Sequence, residues 1–359
     1  MNYPLLYILL LLTGFLLAVI FTPLVKKLAL RVRALDIPNN PRKIHTKPMP
    51  LLGGWAVIIS FVIMLLGYLA IVHPDANIVP IKFYVGILIG AVILMIGGFL
   101  DDKYNLPPKW AIIAPALAVL AVVGSGIGVG ITQLSNPFGH PIMLNFLFLG
   151  VPFSGIFVYL FIIGMTYTTK FLDGIDGLVS GITIIAALTL FFLSLTPKIN
   201  QPITAALALI LVGVFAGFLV FNFNPASIFL GESGSTFAGF ILATLSVLLG
   251  GKIATAILVM GVPILDVSWA IIRRIWYGTS PFQGDRKHLH LRLLDIGFSQ
   301  RQTVLILYAL AICFGAVSIV LQSRGKLFSL IILFCVMVLL GVFSVFAYKA
   351  KEKVQPKLD

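Results

Sequence analysis

Apolar runs of about 20 residues, the length that crosses roughly 30 Å of hydrocarbon as a helix, recur along the whole chain with only short polar breaks. The pattern predicts about eleven such helices, over 3–23, 51–72, 83–100, 110–133, 152–169, 178–197, 204–221, 235–250, 253–272, 302–321 and 327–348. The expected fold is all-α, a polytopic integral membrane protein. The first run begins almost at Met1 without a basic leader or a small-residue cleavage site, so it is read as a retained span and not a signal peptide. Composition agrees: 60% of residues are apolar and 10% charged, and the mean hydropathy is +1.09, which excludes an ordinary soluble domain. Cys313 and Cys335 sit within apolar runs and form no CxxC pair, favouring packing over a disulfide or a metal site.

The polar breaks are not equivalent. With alternating spans, 20 of the 25 Lys and Arg fall on one side, in 24–50, 101–109, at Lys170, in 273–301 and after Tyr348. The positive-inside rule makes that side cytoplasmic, with the N-terminus outside and the C-terminus, a basic tail over 349–359, inside. The net charge of +13 is then mostly an orientation signal with acidic lipid as its partner, and the short, separated basic segments argue against nucleic acid. Ten of the twelve Asp and Glu share this side, Asp75 and Asp266 being the exceptions. Carboxylates obey the orientation rule weakly, so their clustering points to chemistry on the cytoplasmic face.

Asp101 and Asp102 end an otherwise uncharged run, in Gly97-Gly98-Phe99-Leu100-Asp101-Asp102-Lys103. Two crowded carboxylates call for a cation or a shared proton. They read as base, metal ligand or lysine partner, or else as a solvated helix end. Asp173 and Asp176, in Lys170-Phe171-Leu172-Asp173-Gly174-Ile175-Asp176-Gly177, are three apart and share a face on a helical turn. The glycine after each lets backbone approach a phosphate or a metal; a polar turn between spans is the plainer alternative. Residues 222–235 hold one carboxylate, Glu232, amid glycines and hydroxyls. Mg²⁺ takes oxygen ligands and keeps substrate phosphates in its shell, so Asp176 and Glu232 can supply the protein's share. Phe229 suits stacking on a base or interfacial packing.

Residues 273–301 are too polar to span and carry Arg286, His288, His290 and Arg292. This cationic cluster suits a pyrophosphate; no third ligand at zinc spacing accompanies the histidines, and a basic loop on acidic lipid is the alternative. Residues 42–54 bring Lys43, His45 and Lys47 to a Gly53-Gly54 span start, where they meet phosphate or anchor the span. Asp266 lies inside a run, where an ionisable residue is functional or paired. It either makes a structural hydrogen bond or positions a lysine or the Arg-His loop.

RKIHTKPMPLLGG, GGFLDDKY, FLDGIDGL, FNFNPASIFLGESGS and DRKHLHLRLLDIG, in this order and on one side, resemble the motifs of the polyprenyl-phosphate N-acetylhexosamine-1-phosphate transferases over most of the chain. The last resembles the WecA/TagO branch. The resemblance implies a single transmembrane transferase domain over 1–359 in the plasma membrane. It would transfer N-acetylhexosamine 1-phosphate, GlcNAc first among the candidates, from a UDP-sugar to undecaprenyl or another polyprenyl phosphate, with Mg²⁺ or its substitute Mn²⁺, releasing UMP. By the same resemblance Asp101 and Asp102 would sit at the acceptor phosphate, one of them as base, with Asp173 in support. Asp176 and Glu232 would hold the metal, Lys47 would contact phosphate, and Asn222 and Phe229 would hold the uridine. Arg286, His288 and His290 would grip the diphosphate or sugar. A homodimer is compatible with the family, but no feature of the sequence demands one.

Three positions depart from the family's pattern. Lys170 stands where Asn is usual, Glu232 where Asp is usual, and Leu291 where many relatives of this branch have a second adjacent His. Lys170 is expected to contact substrate or to pair with Asp173. A CDP-alcohol phosphotransferase would carry an Ala-Arg element after Asp176, and an aromatic-acceptor prenyltransferase an NDxxD motif; neither is present. A transporter would line the bilayer centre with charge, where only Asp266 lies.

Overall fold

Hydrocarbon offers backbone N–H and C=O groups no partner, so a segment within it pairs them internally as a helix, and each predicted apolar run is helical over at least part of its length. The structure, a computed structural model, describes residues 3–38, 45–74, 79–131, 133–134, 136, 138–148, 150–250, 252–279, 288–321 and 323–354. Its helices are α1 (Tyr3–Val32), α2 (Gly53–Val72), α3 (Ile81–Tyr104), α4 (Pro108–Ala111), α5 (Ile113–Gly124), α6 (Phe153–Leu172) and α7 (Leu178–Ser194). They continue as α8 (Pro202–Asn222), α9 (Gly231–Leu248), α10 (Ile253–Val259), α11 (Gly261–Trp276), α12 (Leu289–Ile296), α13 (Gln300–Val320) and α14 (Ser323–Val354). Three two-stranded antiparallel ribbons complete the described elements: β1 (Leu35–Asp36) with β2 (Met49–Pro50), β3 (Gln133–Leu134) with β4 (Ile142–Met143), and β5 (Leu147–Phe148) with β6 (Val151–Pro152).

Among the described residues, α1, α2, α3, α6, α8, α13 and most of α14 are long and apolar enough to cross a membrane, and α10–α11, bent by 80°, adds one more if it is a single span. The chain is a multi-pass, all-α membrane protein. Three predicted runs fall on lesser helices. Residues 110–133 are helical only to Gly124, because the chain then passes through Gly126 at φ +100° and Gly128 at φ +81°, backbone that a right-handed helix excludes. Helix α7 has 17 residues, and the first turn of α9 is the polar Gly-Glu-Ser-Gly-Ser-Thr.

Helices α8 and α9 form the centre. In α9 every residue from Ser233 to Val247 is buried against α2, α3, α6 and α7. At the periphery α1 and α14 present Leu, Ile and Phe outward, and Cys313 and Cys335 are free and exposed, away from the packed core expected for them. Helix association in lipid depends on close packing more than on expulsion of water, so small residues mark the tight contacts. A methyl group at Gly239 would lie 2.2 Å from the Met165 carbonyl, and one at Gly98 would lie 2.3 Å from Ser233 Cα. These contacts seat the N-terminus of α9 between the C-terminal turns of α3 and α6.

Candidate active site

The first turn of α9 is built from two strips of backbone. Phe229 N–H donates to Pro50 C=O at 2.8 Å, Gly53 N–H to Phe229 C=O at 3.0 Å and Gly54 N–H to Leu230 C=O at 2.7 Å. Gly231 turns the chain into α9 at φ +73°, and a side chain there would strike Leu51 C=O. Asn222 is buried and satisfied, accepting from Ser180 Oγ at 2.8 Å and donating to Ile228 C=O at 3.1 Å. It therefore fixes the loop that presents Phe229, whose ring meets His45 edge-on at 5.2 Å.

These elements enclose a cleft of about 580 Å³ lined by Lys47, Asp102, Lys170, Asp173, Asp176, Asn222, Phe229 and Glu232, among others. Eight predicted site residues from motifs far apart in sequence thus share one cavity. Asp102, 8% exposed, accepts the Glu232 backbone N–H at 3.0 Å through Oδ1 and 3.2 Å through Oδ2. A carboxylate so placed both satisfies an otherwise unpaired helix-start donor and meets the positive end of the α9 dipole. Asp101 faces away from the cleft: Oδ1 accepts Leu106 N–H at 3.1 Å and Oδ2 accepts Lys170 Nζ at 3.0 Å. Lys170 Nζ is also 2.9 Å from Glu232 Oε2. The lysine pairs with Asp101 and Glu232 and not with Asp173, one of the two alternatives the sequence offered.

Asp176 Oδ2 accepts Asn224 Nδ2 at 2.9 Å and Ala226 N–H at 3.0 Å, tying the 173–177 loop to the 222–230 segment. Its Oδ1 has no hydrogen-bond partner among the described residues. Asp173 follows the last turn of α6 and opens on the cleft. Desolvation within the cleft, then the neighbouring Glu232 and Asp176 carboxylates, push the carboxyl of this exposed residue up. Asn224 also donates to Gln300 Oε1 at 3.1 Å, and Arg301 Nε donates to Asn224 C=O at 2.8 Å, so the start of α13 closes one wall. Sequence reasoning did not single out Asn224, Gln300 or Arg301, nor Asp36, which also lines the cleft. The Ser299 to Gln302 capping box that starts α13 was a readable helix signal, but nothing local to it names Asn224, 76 residues from Gln300 and 77 from Arg301, as a partner.

The histidines stand behind the acidic loop. Asp266 Oδ2 lies 2.8 Å from His288 Nδ1, and Oδ1 accepts Leu289 N–H at 2.8 Å, so the ionisable residue inside an apolar run anchors the start of α12. The rings of His288 and His290 stack at 5.6 Å. His290 is buried, and its Nε2 would be 2.4 Å from a methyl group at Gly174. Burial holds its imidazole down to about 4, so it is neutral at pH 7. Neither histidine lines the cleft, and Arg286 lies outside the described residues.

An acidic, lysine-bearing cleft at the shared ends of membrane helices defines a membrane enzyme handling anionic substrates. Residues 84–250 match glycosyl transferase family 4. The chain is 33% identical over 343 residues to a Bacillus subtilis protein named "Probable undecaprenyl-phosphate N-acetylglucosaminyl 1-phosphate transferase", covering 94% of this chain and 91% of that one. It is 31% identical to a decaprenyl-phosphate N-acetylglucosaminephosphotransferase of Mycobacterium tuberculosis, covering 82% and 78%. A Thermotoga maritima undecaprenyl-phosphate alpha-N-acetylglucosaminyl 1-phosphate transferase is 26% identical, covering 88% and 91%. The chain belongs to glycosyl transferase family 4, among the polyprenyl-phosphate sugar-1-phosphate transferases.

Proposed function

We propose that the protein transfers N-acetylglucosamine 1-phosphate from its UDP-sugar to undecaprenyl phosphate, releasing UMP. The observation that carries this reading is the cleft itself, where Lys47, Lys170 and the carboxylates gather at the ends of apolar helices. A lipid acceptor held among such helices presents only its phosphate to that cleft. An oxygen of this phosphate attacks the sugar-bearing phosphorus of the donor. The new P–O bond forms as the bond to the UMP oxygen breaks, and UMP takes the electron pair. Both reactants are anions, so positive charge must screen their approach; Lys47 and Lys170 supply part of it.

Mg²⁺, or Mn²⁺ in its place, would supply the rest, and Asp173 with Asp176 fits it. Their oxygens are hard donors, one of them without a hydrogen-bond partner among the described residues, and Mg²⁺ is commonly held by one or two carboxylates together with substrate phosphates. When bound, the metal neutralises charge developing on the diphosphate. Phe229 stacks on uracil while Asn222 keeps its loop in place. Asp102 fixes the start of α9 beside the acceptor phosphate. His290, neutral and against Gly174, supports the acidic loop from behind, with His288 stacked on it and held by Asp266.

We read all eleven apolar segments as crossings, with the N-terminus outside and the cleft cytoplasmic. The ends of α3, α6 and α8 and the starts of α2, α7, α9 and α13 all contribute to the site, as alternating crossings require, and the excess of Lys and Arg favours the cytoplasmic side. The test is UMP release by protein in detergent, given undecaprenyl phosphate, Mg²⁺ and a panel of UDP-N-acetylhexosamines. UMP from the GlcNAc donor, lost with EDTA and in Asp176→Asn, is expected; folded protein that releases none from any donor overturns the reading.

A further inference from the structure

Behind the cleft, one ammonium joins three helices. Lys170 Nζ lies 3.0 Å from Asp101 Oδ2 and 2.9 Å from Glu232 Oε2, and the lysine, aspartate and glutamate side chains are 16%, 13% and 33% exposed. Lys170 and Glu232 line both the cleft and a narrow recess behind it between α3, α5 and α9, whereas Asp101 lines the recess alone. The contact depends on the close approach of α6 to α9 at Gly239, which brings the last turn of one beside the first turn of the other.

We propose that Lys170 is a resident cation of the transferase site. Its ammonium occupies the place between Asp101 and Glu232 where a divalent ion would otherwise bind, so that Glu232 is not a metal ligand in this chain. This deepens the transferase reading and rests on it for its catalytic meaning. Two carboxylates brought to one point, Asp101 largely buried and Glu232 partly so, need a cation between them, and an ammonium on the same chain meets that need at all times. A divalent ion approaching Glu232 would meet a like charge within contact distance, which is strongly repulsive where water is scarce. The two departures from the family's pattern thereby become one. A glutamate reaches farther than an aspartate by one carbon–carbon bond, and here that reach ends on the lysine.

The experiment is titration of the full-length chain in detergent with Mn²⁺, following the free ion by electron paramagnetic resonance. Wild type and Glu232→Gln are expected to bind Mn²⁺ alike. Lys170→Asn is expected to gain affinity by roughly tenfold or more, and Lys170→Asn/Glu232→Gln to lose that gain. The proposal is overturned if Glu232→Gln alone weakens Mn²⁺ binding, or if Lys170→Asn binds no tighter than wild type. Should Lys170→Asn fail to fold, the Glu232→Gln comparison decides alone, with the lysine in place. Mn²⁺ binding needs no turnover, so a protein that releases no UMP would count against the transferase reading without touching this result.

Discussion

Asp101–Asp102 and Asp173–Asp176 are both acidic pairs at the ends of apolar helices, yet the fold commits them differently. The pair on α3 is consumed by structure: Asp101 by Lys170 and the Leu106 N–H, Asp102 by the first turn of α9. The pair after α6 lies on a loop, where Asp176 keeps one oxygen unpartnered among the described residues and Asp173 opens on the cleft. Helical carboxylates here join helices to one another, and loop carboxylates on that rigid frame are left to meet ligands.

The sharpest way to break this contrast is to neutralise each pair and read activity and stability separately. Asp173→Asn should lower UMP release by roughly 10²–10³-fold, the range for losing one charge-stabilising group, with little change in the melting temperature in detergent. Gly98→Ala should come next: its methyl group would lie 2.3 Å from Ser233 Cα, and such overpacking costs about 1–3 kcal/mol. Melting temperature and UMP release should fall together, since the start of α9 moves away from α3. Asp102→Asn weakens a charge-assisted bond and a charge–dipole contact, an effect of about 1 kcal/mol, and should also lower both readouts. A variant that lost activity at unchanged stability would move Asp102 to the ligand-facing group and dissolve the contrast.

The smallest effect concerns the loop's support. His290 has its imidazole held down to about 4 against an ordinary 6.5, so the folded chain binds fewer protons than the unfolded one in that interval. Its contribution is therefore present above pH 6.5 and is lost as the pH falls toward 4. Thermal unfolding followed between pH 7 and 6 should show a shallow decline that His290→Gln flattens.

Much of this architecture was legible in the chain, because a hydrocarbon environment writes itself as runs of fixed length and the five polar motifs fall between them. Eight of the twelve chosen site residues line one cleft. What local sequence could not convey was pairing at a distance. Asp266 offered two readings until His288 and Leu289 appeared beside it. Lys170 was expected on substrate or on Asp173, three residues away, and its ammonium pairs with partners 69 and 62 positions distant. The His-x-His pair read as a cationic grip on diphosphate, but alternation along the chain does not reveal that His290 is enclosed beneath Gly174. The 110–133 run was apolar throughout its first half, and its glycines were the overlooked signal for an early stop.

The meeting of the 50–54 turn with the 229–234 segment carries a consequence for variation. There peptide groups bond to peptide groups, and Gly53, Gly54, Gly231 and Gly234 leave no room for a Cβ. At these four glycines the floor is main chain with no side chain to exchange, so it cannot be resculpted there by substitution without being lifted. Donor preference can then diverge between homologues, or be redirected in the laboratory, chiefly at rim positions such as Thr46, Lys47 and Gln300, where a new side chain alters the cleft's outline and leaves its base intact.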